Sequence, residues 1–149
     1  MAKFIGVKMI EAVPMTASEA NDKGYRIGNH SFKEDGYEVT YPDGYKSWSP
    51  AKEFEKAYYK LEDPAGDVLK ENDIKGFIKG IENVKVGTKT TNTTLTCLTG
   101  FEVHGQAACV KPENFDLNVG SNYAQIKAKD KIWEGLGFVL QWAKYGLKK

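Results

Sequence analysis

Between Glu34 and Pro50 the sequence reads EDGYEVTYPDGYKSWSP, and this stretch leaves little freedom in how the chain can fold. Tyr37, Val39 and Tyr41 alternate with polar residues as a strand requires, and Tyr45 to Trp48 return as its partner. Pro42 presets φ at the first position of the turn, Asp43 supplies a short acceptor, and Gly44 can take positive φ. A β-hairpin follows. Ser49-Pro50 then reads as a helix start, with serine at the N-cap and proline at the first helical position, where its missing N–H costs nothing. In AKEFEKAYYKLE, residues Phe54, Ala57, Tyr58 and Leu61 share one helical face, which should lie on the hairpin. The result is a β-β-α unit.

Upstream, Lys3 to Val13 reads as a strand ended by Pro14, and Thr16 with Glu19 forms a capping box for a short helix that Gly24 stops. Downstream, Asp63-Pro64 and Gly66 break the helical period and predict a connection between lobes. Asp73 to Asn83 resumes helical spacing through Ile74, Phe77, Ile78 and Ile81, although Gly76 and Gly80 weaken it by about 1 kcal/mol each. The threonine- and valine-rich stretch from Val84 to Val110 reads as two or three antiparallel strands turning near Thr99-Gly100. Beyond Pro112 a helix is expected from near Asp116, through Val119, Tyr123, Ala124, Ala128 and Ile132, ending at Trp133 against Gly135 and Gly137. The tail around Phe138, Val139, Leu140 and Trp142 is too apolar to hang free, and should dock on its own core or on a second copy.

The expected fold class is therefore α+β, with small antiparallel sheets and packed helices in two β/α lobes whose sharing of one core is left open. The boundaries are 1–62 for the first lobe, 63–72 for a linker and 73–149 for the second lobe.

Composition narrows the function. With Lys+Arg 21 against Asp+Glu 20, the net charge of +1 gives no field that would favour coating a phosphate backbone, so nucleic acid is disfavoured as a partner. The lysines Lys144, Lys148 and Lys149 leave a nucleic-acid accessory role as a minor alternative. No window approaches the roughly 18 apolar residues of a membrane span, and the opening MAKFIGVKMIEAVPM lacks a signal-peptide core. The expectation is no membrane partner. Cys97 and Cys109 show no CxxC spacing, which suits a reducing cytoplasm.

Catalytic patterns are missing. His30 and His104 are the two histidines and neither has further ligands at metal-binding spacing, so no metal and no cofactor are expected. GxSxG, P-loop and GxGxxG motifs do not occur. Cys109 with His104 is a nominal nucleophile and base, without evidence of mutual orientation.

Two clusters suit recognition instead. Tyr41, Tyr45, Lys46, Trp48 and Ser49 bring stacking faces, a cation and a helix start together, a combination fit for a nucleotide. Strand alternation divides them, because Tyr45 and Ser47 face one side and Lys46 and Trp48 the other; Trp48 suits a core position against Phe54 and Tyr58 better than a place in the site. The second cluster offers hydroxyls from Thr93, Thr94, Thr96 and Thr99 with the amide of Asn114, near a helix start where Asn114 or Asp116 would serve as the N-cap.

Ala108-Cys109, Asn114-Phe115-Asp116 and Lys131-Ile132-Trp133, in a frame of threonine-rich hairpin and helix, resemble a family of small early proteins of tailed bacteriophages typified by phage N-four and phage Sf-six members. The resemblance spans roughly residues 73 to 140. It departs at Leu98-Thr99, where a lysine-asparagine turn is the pattern, and at Gly135-Leu136, where leucine-glutamate is. The first lobe, with IGVKMIEAVPMT, the YPDGYKSWSP hairpin and FEKAY, is similar to a second phage module.

The resemblance implies an accessory protein acting in the cytoplasm of an infected bacterium, and implies no particular reaction. The leading expectation is a noncatalytic binder that sequesters a nucleotide immune signal, of the cyclic oligonucleotide or cyclic ADP-ribose type, as a homo-oligomer that encloses its ligand. The alternative of another class is an inhibitor that blocks a host defence or replication protein by surface contact.

Overall fold

The structure is a computed structural model describing residues 1–149. It is an α+β protein with two three-stranded antiparallel sheets. It divides into two compact units, one of residues 1–60 with 142–149 and one of residues 61–141.

In the first unit, β1 (Glu11–Pro14), β2 (Gly36–Thr40) and β3 (Lys46–Pro50) form a sheet in that order. The hairpin closes as the turn residues dictate. Gly44 N donates to Tyr41 O at 2.8 Å, Tyr41 N donates to Tyr45 O at 2.9 Å, and Gly44 takes φ 90°. Asp43 Oδ1 accepts from Tyr45 N at 2.9 Å and holds the loop from within. Between β1 and β2 lies α1 (Ala17–Asp22), capped by the Thr16 hydroxyl, which accepts from Glu19 N at 3.2 Å.

One face of this sheet carries a core of Met15, Ala17, Ala20 and Trp48, with Tyr25 and Ile27 packed against it. The other face receives α2 (Ala51–Ala57), whose Phe54 stacks on Tyr37 with ring centroids 4.2 Å apart. Three expectations change here. The first strand is confined to Glu11–Pro14. Pro50, not Ser49, occupies the N-cap, because Ser49 and Pro50 both complete β3 in register with Tyr37 and Gly36. The helix ends at Ala57, with Tyr58 extended at φ −130° and ψ 140°, which brings its ring to 5.0 Å from Phe54.

The second unit begins with residues expected to be a linker, but they form a built loop. Asp63 carboxylate oxygens accept from the amides of Ala65, Asp67 and Val68, and buried Asp73 accepts from Glu62 N and Lys70 N, each at 2.8 Å. Two acidic side chains thus satisfy a loop's worth of backbone donors. α3 (Glu71–Gly76) follows and stops where a longer helix was expected. From Ile78 the chain is strand β4 (Ile78–Val86), not helix. Ile74, Phe77, Ile78 and Ile81 fit a helical period, yet Ile78, Ile81, Val84 and Val86 are β-branched and pair with β5 (Thr90–Cys97) across a bulge between Ile78 and Gly80.

β5 is the central strand and β6 (Glu102–Ala108) its other neighbour, turning through Gly100 at φ 89°. Burial alternates strictly along β5: Thr91, Thr93, Leu95 and Cys97 point inward. A 3₁₀ turn (Pro112–Asn114) leads into α4 (Leu117–Tyr145), where Asp116 Oδ1 caps by accepting from Asn118 N and Val119 N. Gly135 and Gly137 do not end this helix, and the roughly 1 kcal/mol that each costs is small against 29 continuous residues.

The core here is Ile74, Leu95, Cys97, Val103, Ala128 and Ile132, bordered by Phe77, Ile78 and Leu136. The helix lies unusually close to the sheet because both surfaces are trimmed. A Cβ on Gly105 would fall on Ala124 O and within 2.5 Å of Ala128 N, and one on Gly120 would strike the Thr91 side chain.

Candidate functional site

The turn of the first hairpin forms one wall of an open cleft of about 510 Å³, lined by Lys8, Tyr41, Pro42, Asp43 and Tyr45. The Tyr41 and Tyr45 rings stand 5.9 Å apart at 30°. Lys8 Nζ lies 5.3 Å from the centre of the Tyr41 ring, within cation–π range. Tyr45 is exposed, whereas Tyr41 is half-buried. Burial pushes the Tyr58 hydroxyl above its ordinary value of 10.0, and the neighbouring Tyr41 phenol adds to the shift. The cleft therefore holds two aromatic faces, a cation and the carboxylate of Asp43, side by side and reachable from solvent.

Of the hairpin cluster expected from sequence, Tyr41 and Tyr45 are brought together and three residues are not. Trp48 is a core residue. Its Nε1 donates to Met15 O at 2.8 Å and its ring meets His30 edge-on at 5.6 Å. It packs on the face opposite Phe54 and Tyr58, because Trp48 pairs with Glu38 while Phe54 stacks on Tyr37, one residue out of phase. Lys46 shares Trp48's alternation and is not part of the cleft lining. Ser49 turns its hydroxyl to Pro50 O at 3.4 Å and caps no helix. Lys8 was not foreseen as a lining residue, since its place in a supposed strand gave no sign that it would reach the Tyr41 ring.

The hydroxyl cluster is divided by the sheet. Thr94 and Thr96 lie on the outer face of β5, where Thr94 Oγ1 and His104 Nδ1 share a hydrogen bond at 3.0 Å and Gln106 Nε2 donates to Asn92 Oδ1 at 3.3 Å. Thr99 sits in the β5–β6 turn, its hydroxyl accepting from Phe101 N at 3.2 Å. Asn114 is exposed in the 3₁₀ turn beyond the other end of β6, so it and Thr99 cannot meet one ligand. Thr93 points inward and donates to Asn83 Oδ1 at 2.5 Å.

A second hollow, of about 360 Å³, lies along β6 and is lined by His104, Gly105, Gln106, Lys127 and Lys131. The two thiols have structural surroundings. Burial pushes Cys97 above its ordinary value of 9.0, and Cys109 Sγ donates to Lys111 O at 3.1 Å. No three His, Cys, Asp or Glu side chains are grouped to hold a metal ion. No helix is long and apolar enough to cross a membrane.

No curated protein and no solved structure matches the chain. The α3-β4-β5-β6-α4 unit is where its kinship is found: residues 69–143 match the phage protein (N4 Gp49/phage Sf6 gene 66) family, to which the chain belongs.

Proposed function

We propose that this phage protein is a noncatalytic accessory binder that sequesters a nucleotide signal of host anti-phage immunity, of the cyclic oligonucleotide or cyclic ADP-ribose type. The observation that carries the reading is the cleft at the hairpin turn, with two tyrosine rings and Lys8 around about 510 Å³. That size falls in the range of small-molecule sites. Tyrosine faces stack on a base, a lysine ammonium complements a phosphate, and Asp43 accepts from a ribose hydroxyl or a base N–H. All five lining residues lie before residue 69, outside the family match, so the reading rests on the geometry of this chain.

Sequestration requires affinity near nanomolar, about −12 kcal/mol. A cleft open to water on one side gains from a second wall, which a homo-oligomer supplies. The test is calorimetric titration with cyclic dinucleotides, cyclic trinucleotides and cyclic ADP-ribose isomers, followed by recovery of the bound compound from denatured protein. Tight binding and intact ligand are expected. Failure of every compound to bind at micromolar concentration, or recovery of a cleaved product, overturns the reading.

A further inference from the structure

The hollow along β6 brings unused hydrogen-bond donors from two elements together. It shares no residue with the hairpin cleft, and His104, Gly105, Gln106, Lys127 and Lys131 line its volume of about 360 Å³. β6 is an edge strand, so half of its backbone groups have no neighbouring strand to meet. The hairpin decides which half. Cys97 N donates to Phe101 O and Cys109 N to Lys89 O, which sets the hydrogen-bonded pairs of this ladder on the odd-numbered residues. Residues between such pairs turn their N–H and C=O away from the partner strand. The amides of His104 and Gln106 therefore point out of the sheet edge, and neither donates to another segment.

Close packing carries the helix to this same edge. Gly105, between the two amides, has no side chain, and the backbone of Ala124 and Ala128 lies where its Cβ would be. Lys127 and Lys131, one turn apart on α4, reach the hollow as a result; both are exposed and neither forms an ion pair. His104 engages Thr94 through Nδ1, which leaves Nε2 for an outside partner. The lining holds no carboxylate. Lysines beside an exposed edge oppose pairing with a further strand, which sets a peptide aside. Two ammonium groups, two outward amides and an imidazole instead match a compact, doubly charged anion with several acceptor oxygens.

We propose that this hollow binds the phosphate group of a small phosphomonoester. A nucleic-acid backbone fits less well, because the chain's net charge of +1 provides no broad basic field around these two lysines. The lining residues fall within residues 69–143, where the family match lies, whereas those of the hairpin cleft fall outside it. The site does not depend on the nucleotide reading.

Amide NMR titration of the full-length protein with glycerol phosphate tests it, at ionic strength held constant with sodium chloride and with glycerol as the control. Saturable shifts of the His104 and Gln106 amide signals are expected with glycerol phosphate, at a dissociation constant of about 1 mM for so small a ligand, and none with glycerol. Lys127→Ala and Lys131→Ala should each weaken binding by about tenfold, and Lys131→Arg should keep it. Lys79→Ala, which removes an exposed lysine from β4 at the opposite edge of the sheet, should leave it unchanged. The spectra themselves show that each variant is folded. Absence of saturation by about 20 mM overturns the proposal, as do shifts that arise only at the Tyr41–Tyr45 turn. A loss at Lys79→Ala as large as at Lys131→Ala also overturns it, since that describes a diffuse field and not a site. A DNA single strand of about 20 nucleotides, lacking terminal phosphates, that moves the same amides at lower concentration than glycerol phosphate overturns the monoester assignment in favour of a nucleic-acid backbone.

Discussion

Gly105 on β6 lies so close to Ala128 on α4 that a methyl group added to it would come within 2.5 Å of the Ala128 amide nitrogen. The obstacle is helix backbone, which cannot swing aside as a flexible side chain would. Gly105→Ala should therefore lower stability by about 1–3 kcal/mol or more, as α4 lifts from the sheet and Leu95, Val103 and Ile132 lose packing. Gly80→Ala is the matched control. It sits in the same sheet with Thr96 at 3.7 Å, an ordinary contact, and should cost little. Urea unfolding of the two variants separates close approach from the general cost of altering a strand glycine.

Thr91 makes the opposite prediction. Its hydroxyl is buried beneath Gly120 with no hydrogen-bond partner. Valine has the same shape and the same stiffness at χ1 in a strand, and lacks the polar atom whose desolvation is uncompensated. Thr91→Val should stabilise the protein by about 1 kcal/mol, seen as a higher urea midpoint with an unchanged slope. An equal or lower midpoint means that the hydroxyl is satisfied in solution.

These two positions show what the sequence could and could not reveal. The threonine run was legible as strand, and the hairpin at Pro42-Asp43-Gly44 was legible down to the positive φ of Gly44, because turn chemistry is local. That Thr91 and Thr93 face inward while Thr94 and Thr96 face outward depends on where α4 lands, and no local pattern encodes that. The same holds for Ile78 and Ile81. Their spacing satisfies a helix and a strand alike, and pairing with Cys97 and Leu95 on a distant segment decided between them. In the candidate site, Tyr41 and Tyr45 were found because the turn brings its own flanks together. Lys8 was not, since only tertiary packing carries it to the Tyr41 ring. Trp48 was ambiguous for a related reason: an aromatic residue on a strand suits a core or a cleft, and the nearby Met15 carbonyl, which accepts its N–H, resolves the matter.

Tyr25 and Glu38 should make stability depend on pH at both ends. The Tyr25 hydroxyl donates to Glu38 Oε2 at 2.7 Å, and this bond holds the Glu38 carboxyl below its ordinary value of 4.5, against the opposing effect of burial and with help from Lys23 and Lys46. A carboxyl with a depressed folded value contributes stability that is present above pH 4.5 and lost as pH falls through that folded value. The same hydrogen bond raises Tyr25 above 10.0, so its contribution is present below that pH and lost as pH climbs through the raised value. In Tyr25→Phe, acid unfolding should begin at a higher pH than in wild type. The difference in stability between the two proteins should be largest near neutrality and shrink toward both extremes. Urea midpoints measured across pH, with an NMR titration of the Glu38 carboxyl, check both the sign and the cause.

Strand alternation also gives the hairpin cleft a sharp internal control. Tyr45 lines the cleft and Lys46, its immediate neighbour, points to the other face with Trp48. A stacked base contributes about 1–3 kcal/mol, so Tyr45→Ala should weaken a bound nucleotide by roughly 5- to 150-fold without disturbing the fold, since the ring is largely exposed. Lys8→Ala should also weaken binding, and its loss should shrink as salt is raised, because the ammonium acts on phosphate through a field that ions screen. Lys46→Ala should leave binding unchanged. Calorimetry on the three variants at low and high salt distinguishes a cleft that reads base and phosphate from a hairpin that merely carries positive charge: in the second case Lys46 and Lys8 would matter equally and Tyr45 would not.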